Sequence, residues 1–286
     1  MTTESSFDIY LGGDCWSVIL GFFETKARIL IGHINKEIYS SLRGSFTGEI
    51  LNLCQTEIRD SGLLHFGNAY KIDLRGVYLT FGLKFLTNVN SIDLSFTKIT
   101  DNKLVHLQNA DEIKLDNCYS ITDSGMKYLK NVKRIDLGLT KVTDIGMKYL
   151  SKVTQIKLTQ TNMTDIGMKY LANVTDIDLS DTMITDNGLQ YLSKVKRIIL
   201  HHTSVTDIGL SFLTKVEHIN LGECSHITDL GMDHLTEANE VILFGTNISD
   251  KGITKLINAR MLELWDCPNI TDSKRQKLQD MGLKIY

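Results

Sequence analysis

The chain has 286 residues, 42% of them hydrophobic, and a formal net charge of −3. That charge, without any basic run, gives no electrostatic basis for binding nucleic acid. The longest apolar stretch, near residues 16–23, falls far short of the ~20 residues that span a bilayer, and no Gly/Ser linker or low-complexity tract interrupts the chain.

The opening MTTESSFDIY has neither a basic stretch nor an apolar core, so no secretory signal is expected. Residues 1–48 then read as helices. Cys15, Trp16, Ile19, Leu20 and Phe23, followed by Ile31, Ile34 and Ile38, recur at spacings of three and four, as one buried helical face requires.

From residue 49 the pattern changes to a repeat. An apolar–x–Leu step begins at Leu51, Ile72, Ile92, Ile113, Ile135, Ile156, Ile177, Ile198, Ile219, Val241 and Leu262, and the chain closes on a partial copy, Leu283-Lys284-Ile285. Self-similarity at this period predicts a stacked solenoid of about eleven units over 49–286. Each unit starts with a period-2 strand; in Arg134-Ile135-Asp136-Leu137, Ile135 and Leu137 face inward. Three residues past the Leu stands Thr (97, 140, 161, 182, 203, 246) or Cys (118, 224, 267), a small side chain suited to bonding the turn backbone. Thr-Asp follows, and the Asp is expected to cap a short helix. A glycine two residues later (146, 167, 188 and 209 among others) lowers helix propensity, which predicts close packing against the neighbouring unit. The unit from Ile72 is one residue short and lacks Thr-Asp, so a distorted turn is expected there. Ser273 to Tyr286 is expected to cap the final sheet edge.

The consensus L-x-x-x-x-x-I-x-L-x-x-T/C-x-x-I-T-D-x-G-L resembles the cysteine-containing class of leucine-rich repeats. That resemblance implies an α/β solenoid with a curved parallel sheet inside and short helices outside. Upstream, LGGDCWSVILGFF from Leu11 to Phe23 resembles the opening of an F-box, the helical motif that docks on the Skp adaptor of SCF-type ubiquitin ligases. Ile34-Asn35-Lys36-Glu37-Ile38 aligns with the family's later segment; Gly12 stands where the family has Pro, and Ile38 where an aromatic is usual. The resemblance implies that Leu11, Cys15, Trp16, Ile19, Leu20, Phe23, Ile34 and Ile38 contact a Skp-family adaptor and, through it, a cullin complex. The alternative for residues 1–48 is an ordinary helical cap on a free-standing protein-binding scaffold or inhibitor. Either way the chain is expected to bind a target protein, in the cytoplasm or nucleus, without catalysing a reaction.

A target needs a surface. The outward strand positions Asp93, Lys114, Asp136, Lys157 and Asp178 alternate in sign, which predicts a self-neutralising ladder rather than a docking site. The alternation then stops. Ile199, His201, His218, Ile242, Phe244 and Trp265 place apolar and aromatic groups on the same face and are the candidate target-binding residues; the competing expectation is that the C-terminal cap folds over them. Five cysteines without a C-x-x-C pair, and thiols two repeats apart, predict reduced, buried Cys. No His or Cys cluster predicts a metal, no cofactor is expected, and no nucleophile elbow, phosphate loop or HExxH pattern is present.

Overall fold

A computed structural model of the chain describes residues 50–54, 58 and 60–286. The adaptor-contact candidates Leu11, Cys15, Trp16, Ile19, Leu20, Phe23, Ile34 and Ile38 lie outside the described residues.

Twelve short strands form a single parallel sheet in strictly sequential order. They are β1 (Ile50–Asn52), β2 (Lys71–Asp73), β3 (Ser91–Asp93), β4 (Glu112–Lys114), β5 (Arg134–Asp136), β6 (Gln155–Lys157), β7 (Asp176–Asp178), β8 (Arg197–Ile199), β9 (His218–Asn220), β10 (Glu240–Ile242), β11 (Met261–Glu263) and β12 (Lys284–Ile285). Register follows the repeat: Ile113 pairs with Ile135, Ile135 with Ile156, and Ile156 with Ile177. The first apolar residues and the leucines two positions on therefore stack into two buried columns, every one of them at most 4% exposed. The hydrogen-bonded ladder runs past the strand ends, with Leu115 N–H donating to the Asp136 carbonyl and Asn117 N–H to the Gly138 carbonyl.

The closing copy is shifted from expectation. Met261 pairs with Lys284 and Leu262 with Ile285, so Ile285, not Leu283, continues the apolar column. The chain leaves its last helix through Gly282 at φ +91, a turn that sets this phase. Leu283 is buried all the same.

Opposite the strands lie one-turn helices: α1 (Asp123–Met126), α2 (Asp144–Met147), α3 (Asp165–Met168), α4 (Asp186–Leu189), α5 (Asp207–Leu210) and α6 (Asp250–Ile253), then a longer α7 (Asp272–Asp280). The first three repeats form 3-10 turns instead. In the short second repeat, Phe81 precedes the turn without a side-chain cap, as Thr100 does in the third, while Asp60 of the first repeat still accepts from Thr80 and from Gly82 N–H.

Two local expectations require correction. The capping residue is the Thr before the Asp: Thr143, Thr164 and Thr185 accept from the N–H two residues on. The Asp begins the helix and turns its carboxylate forward into the next repeat. Asp165 accepts from Thr185 N–H at 2.8 Å and from the Thr185 hydroxyl at 2.6 Å. Equivalent brackets tie Asp101 to Thr122, Asp123 to Thr143, Asp144 to Thr164, Asp186 to Thr206, Asp207 to Thr228, Asp229 to Ser249 and Asp250 to Thr271. Here two donors of the following repeat outcompete the helix's own end for the carboxylate. The helix glycines have the packing reason foreseen for them, since a Cβ on Gly188 would sit 2.6 Å from Asp165 Oδ1.

The Thr and Cys positions also divide. Thr97, Thr140 and Thr203 donate to the Leu carbonyl three residues back, closing their own turn. Cys118 and Cys224 instead direct Sγ to Leu94 O and Leu200 O of the preceding repeat, at 3.1 and 3.0 Å. Each thiol thereby bridges two units, and burial pushes both thiols above their usual range.

Candidate target-binding face

Because β-strand side chains alternate, the residue before each apolar step, its middle residue and the residue after its Leu all point away from the core. On β3 to β7 the middle row is in register as Asp93, Lys114, Asp136, Lys157 and Asp178. Lys114 lies 3.9 Å from Asp93 and Lys157 4.0 Å from Asp136, while Arg134 meets Glu112 at 3.1 Å in the row beside. Such half-exposed pairs contribute about 0–1 kcal/mol each. Burial pushes the Asp136 carboxyl up despite its backbone bond from Gly138 and the nearby Lys157. A shallow depression lies over this ladder, lined by Glu112, Lys114, Arg134, Asp136, Lys157 and Asp176, all of which except Asp176 are in ion pairs among the described residues. One like-charge contact precedes it: Asp73 pairs directly with Asp93, and Arg75 relieves the repulsion at 2.7 and 3.8 Å.

At β8 the middle row becomes Ile199, Asn220, Ile242 and Glu263. Ile199, His218 and Ile242 come together in a second depression that also includes Arg197, Asn220 and Glu240. Sequence reasoning had not selected those last three; the in-register neighbourhood of His218 is the signal that could have found Glu240. His218 Nδ1 approaches Glu240 Oε2 to 2.8 Å but is not aligned for a hydrogen bond.

His201, Phe244 and Trp265 form a separate, contiguous group. The Phe244 and Trp265 rings stack at 4.3 Å between centroids and 6° between planes, and His201 lies 5.3 Å from Phe244 on the other side. Between the His201 and Phe244 repeats stands Gly222, and a Cβ there would overlap the Phe244 ring. The glycine is thus a niche that lets Phe244 lean back toward His201. The Trp265 indole N–H donates to Glu263 Oε1 at 2.7 Å, which fixes the ring against the strand. Trp265 remains 50% exposed, so the C-terminal helix and strand leave it open. All six candidate residues therefore share one face of β8–β11, as two adjacent clusters.

His202, at φ 54, turns away and brings Nδ1 to 2.7 Å from Asp181. This hydrogen bond raises the His202 pKa and lowers that of Asp181. Among the described residues no group of three or more His, Cys, Asp or Glu side chains is placed to hold a metal ion, and no helix is long and apolar enough to cross a membrane.

Comparison with known proteins agrees with this geometry. A family model described as leucine-rich repeat matches residues 170–193. A search of curated protein sequences finds no match. Among solved structures, a chain of the yeast Rad7–Elc1 complex is similar with a TM-score of 0.62 and 14% identity, over 96% of this chain and 87% of that one. An internalin (inlF) from Listeria monocytogenes is similar with a TM-score of 0.58 and 16% identity, over 96% of this chain and 93% of its own. A chain from the complex of latrophilin 3, Unc5D and the leucine-rich-repeat protein FLRT2 is similar at 0.56 and 15%, over 83% of each chain. At these identities the likeness concerns architecture, and the architecture it supports is the one built above: a leucine-rich-repeat solenoid.

Proposed function

We propose that this chain is a non-catalytic substrate receptor, whose repeats hold a target protein while residues 1–48 dock on a Skp-family adaptor within a cullin-based SCF-type ubiquitin ligase. The observation that carries target binding is the open His201–Phe244–Trp265 stack beside the Ile199–His218–Ile242 depression. Large rings held rigid on an exposed strand face are the groups that dominate interface energies. The adaptor half of the reading rests on the F-box-like residues from Leu11 to Ile38 directly preceding the repeats. Free Cys54, Cys118, Cys224 and Cys267 fit a reducing cytoplasmic or nuclear setting. The physical contribution is positioning: a tethered target raises the effective concentration of its lysines near a ubiquitin thioester.

The test is co-purification of the full chain with a Skp adaptor, repeated with the Ile19→Asp/Leu20→Asp double variant. The receptor reading expects adaptor capture by the parent and its loss in the variant. Absence of capture by the parent would leave the second reading, a free-standing scaffold or inhibitor, which the departures at Gly12 and Ile38 favour.

A further inference from the structure

On the strand face, the chain's acidic groups fall into two populations. In one, along β2 to β6, Asp73 is matched with Arg75, Asp93 with Lys114, Glu112 with Arg134 and Asp136 with Lys157. Around the ring stack lies the other. Glu223 lies 3.8 Å from His201, and Glu263 accepts from the Trp265 indole. Among the described residues, neither carboxylate pairs with a Lys or Arg. Glu223 runs beside Gly245, its Cγ 3.3 Å from where a Cβ would be, and so lies next to Phe244.

Each ring in the row is covered by the repeat before it. Phe244 lies over Gly222 toward His201, and Trp265 lies over Phe244. Among the described residues no further ring stacks on Trp265, and half of its surface is open. An exposed indole face carries the negative side of its quadrupole outward, and the surrounding carboxylates deepen the same potential. The complement of that combination is a cation able to lie flat on an aromatic ring. Guanidinium fits best, being planar, permanently charged and weakly hydrated, with donors at its edge for carboxylate oxygens.

We infer that the Phe244–Trp265 stack, with Glu223 and Glu263 beside it, is a docking surface for an arginine-bearing segment of the partner protein. This deepens the target-binding reading and rests on it. The segment's guanidinium lies over the open face of Trp265, its N–H groups reach neighbouring carboxylates, and an apolar neighbour fills the Ile199–Ile242 depression. The polar ladder on β3 to β6 offers no such selectivity, because its Asp93–Lys114, Glu112–Arg134 and Asp136–Lys157 pairs are formed within the chain.

The experiment is fluorescence-anisotropy titration of the full chain with a capped, dye-labelled peptide of alternating glycine and arginine. The same peptide with citrulline in place of arginine isolates the charge, and one with glutamate reverses it. The expected result is binding of the arginine peptide at least tenfold tighter than either control, weakening as salt rises. Trp265→Leu and, separately, Glu263→Gln are each expected to weaken it at least threefold, with melting temperatures that show both variants folded. Equal binding of arginine and citrulline peptides, no binding of the arginine peptide, preference for glutamate, or indifference to both substitutions would each overturn the inference. If the peptides fail while capture of cellular proteins still depends on Phe244 and Trp265, only the arginine assignment falls. If that capture also ignores the stack, the target-binding reading falls with it.

Discussion

Replacing Asp165 with Ala removes one complete bracket between successive repeats. Its Oδ1 accepts from Thr185 N–H at 2.8 Å and its Oδ2 from the Thr185 hydroxyl at 2.6 Å, in a partly buried seam. Hydrogen bonds to a charged acceptor contribute about 1.5–3 kcal/mol each. Water entering at the exposed side recovers part of that, leaving an expected loss of roughly 2–4 kcal/mol. Asp165→Asn keeps an acceptor for the N–H, and the Thr185 hydroxyl can reverse to accept from the new amide, so about 1 kcal/mol is expected there. The assay is urea unfolding followed by circular dichroism, with the midpoint read at constant slope. Hydrogen exchange at the Thr185 amide supplies the local readout, where Ala should raise the rate most. A loss below about 0.5 kcal/mol for Ala, within the range of an ordinary surface substitution, would refute the bracket. So would an Asn variant as unstable as Ala, since it would show that the carboxylate is not acting as a two-pronged acceptor.

Three further outcomes follow from the same geometry. Gly188→Ala should cost about 1–3 kcal/mol, because its Cβ would lie 2.6 Å from Asp165 Oδ1 and that oxygen cannot retreat without releasing Thr185; equal midpoints in urea for parent and variant would contradict this. Gln160→Gly should raise stability by a few tenths to about 1 kcal/mol, since Gln160 is held at φ 54 with its side chain exposed; a lower melting temperature would refute it. Finally, burial pushes Asp60 and Asp229 up, but bonds from the Thr80 and Ser249 hydroxyls and from backbone N–H groups outweigh it and leave both carboxyls below their usual range. A carboxyl held lower in the folded state contributes fully above its unfolded value near ~3.9 and loses that contribution as pH falls. Stability should therefore decline below about pH 4, and Asp229→Asn should flatten that decline; an unchanged acid limb would speak against it.

The parts of this fold that were legible in the sequence are those where one residue answers to its own repeat. Ile135, Ile156 and Ile177 announce a buried column because a strand has period two and the repeat fixes the register. The helix glycines announced close packing because they contradict helix propensity. The Asp role was misread because its partners lie about a repeat away, as Asp165 and Thr185 do, whereas capping rules look only along one helix. The left-handed residue two positions after the Leu, as at Phe96, Leu139 and Gln160, carried little signal, since residues as different as Phe, Leu, Gln, Asn, Asp and Gly occupy that place. At the candidate site, alternation of side chains was enough to bring Ile199, His201, His218, Ile242, Phe244 and Trp265 to one face. It could not reveal that Gly222 makes room for Phe244, or that Arg197, Asn220 and Glu240 complete the neighbouring depression. Those depend on side-chain direction across strands, which spacing alone does not encode.

The most direct test of the central claim, that the exposed ring stack of the last repeats is where the solenoid grips another protein, is quantitative affinity capture from cells. The full chain is compared with a Phe244→Ser/Trp265→Glu double variant whose melting temperature shows it folded. The account predicts that the variant keeps its fold and any adaptor bound through residues 1–48 but loses its target proteins. Recovery of the same targets in the same amounts would contradict it.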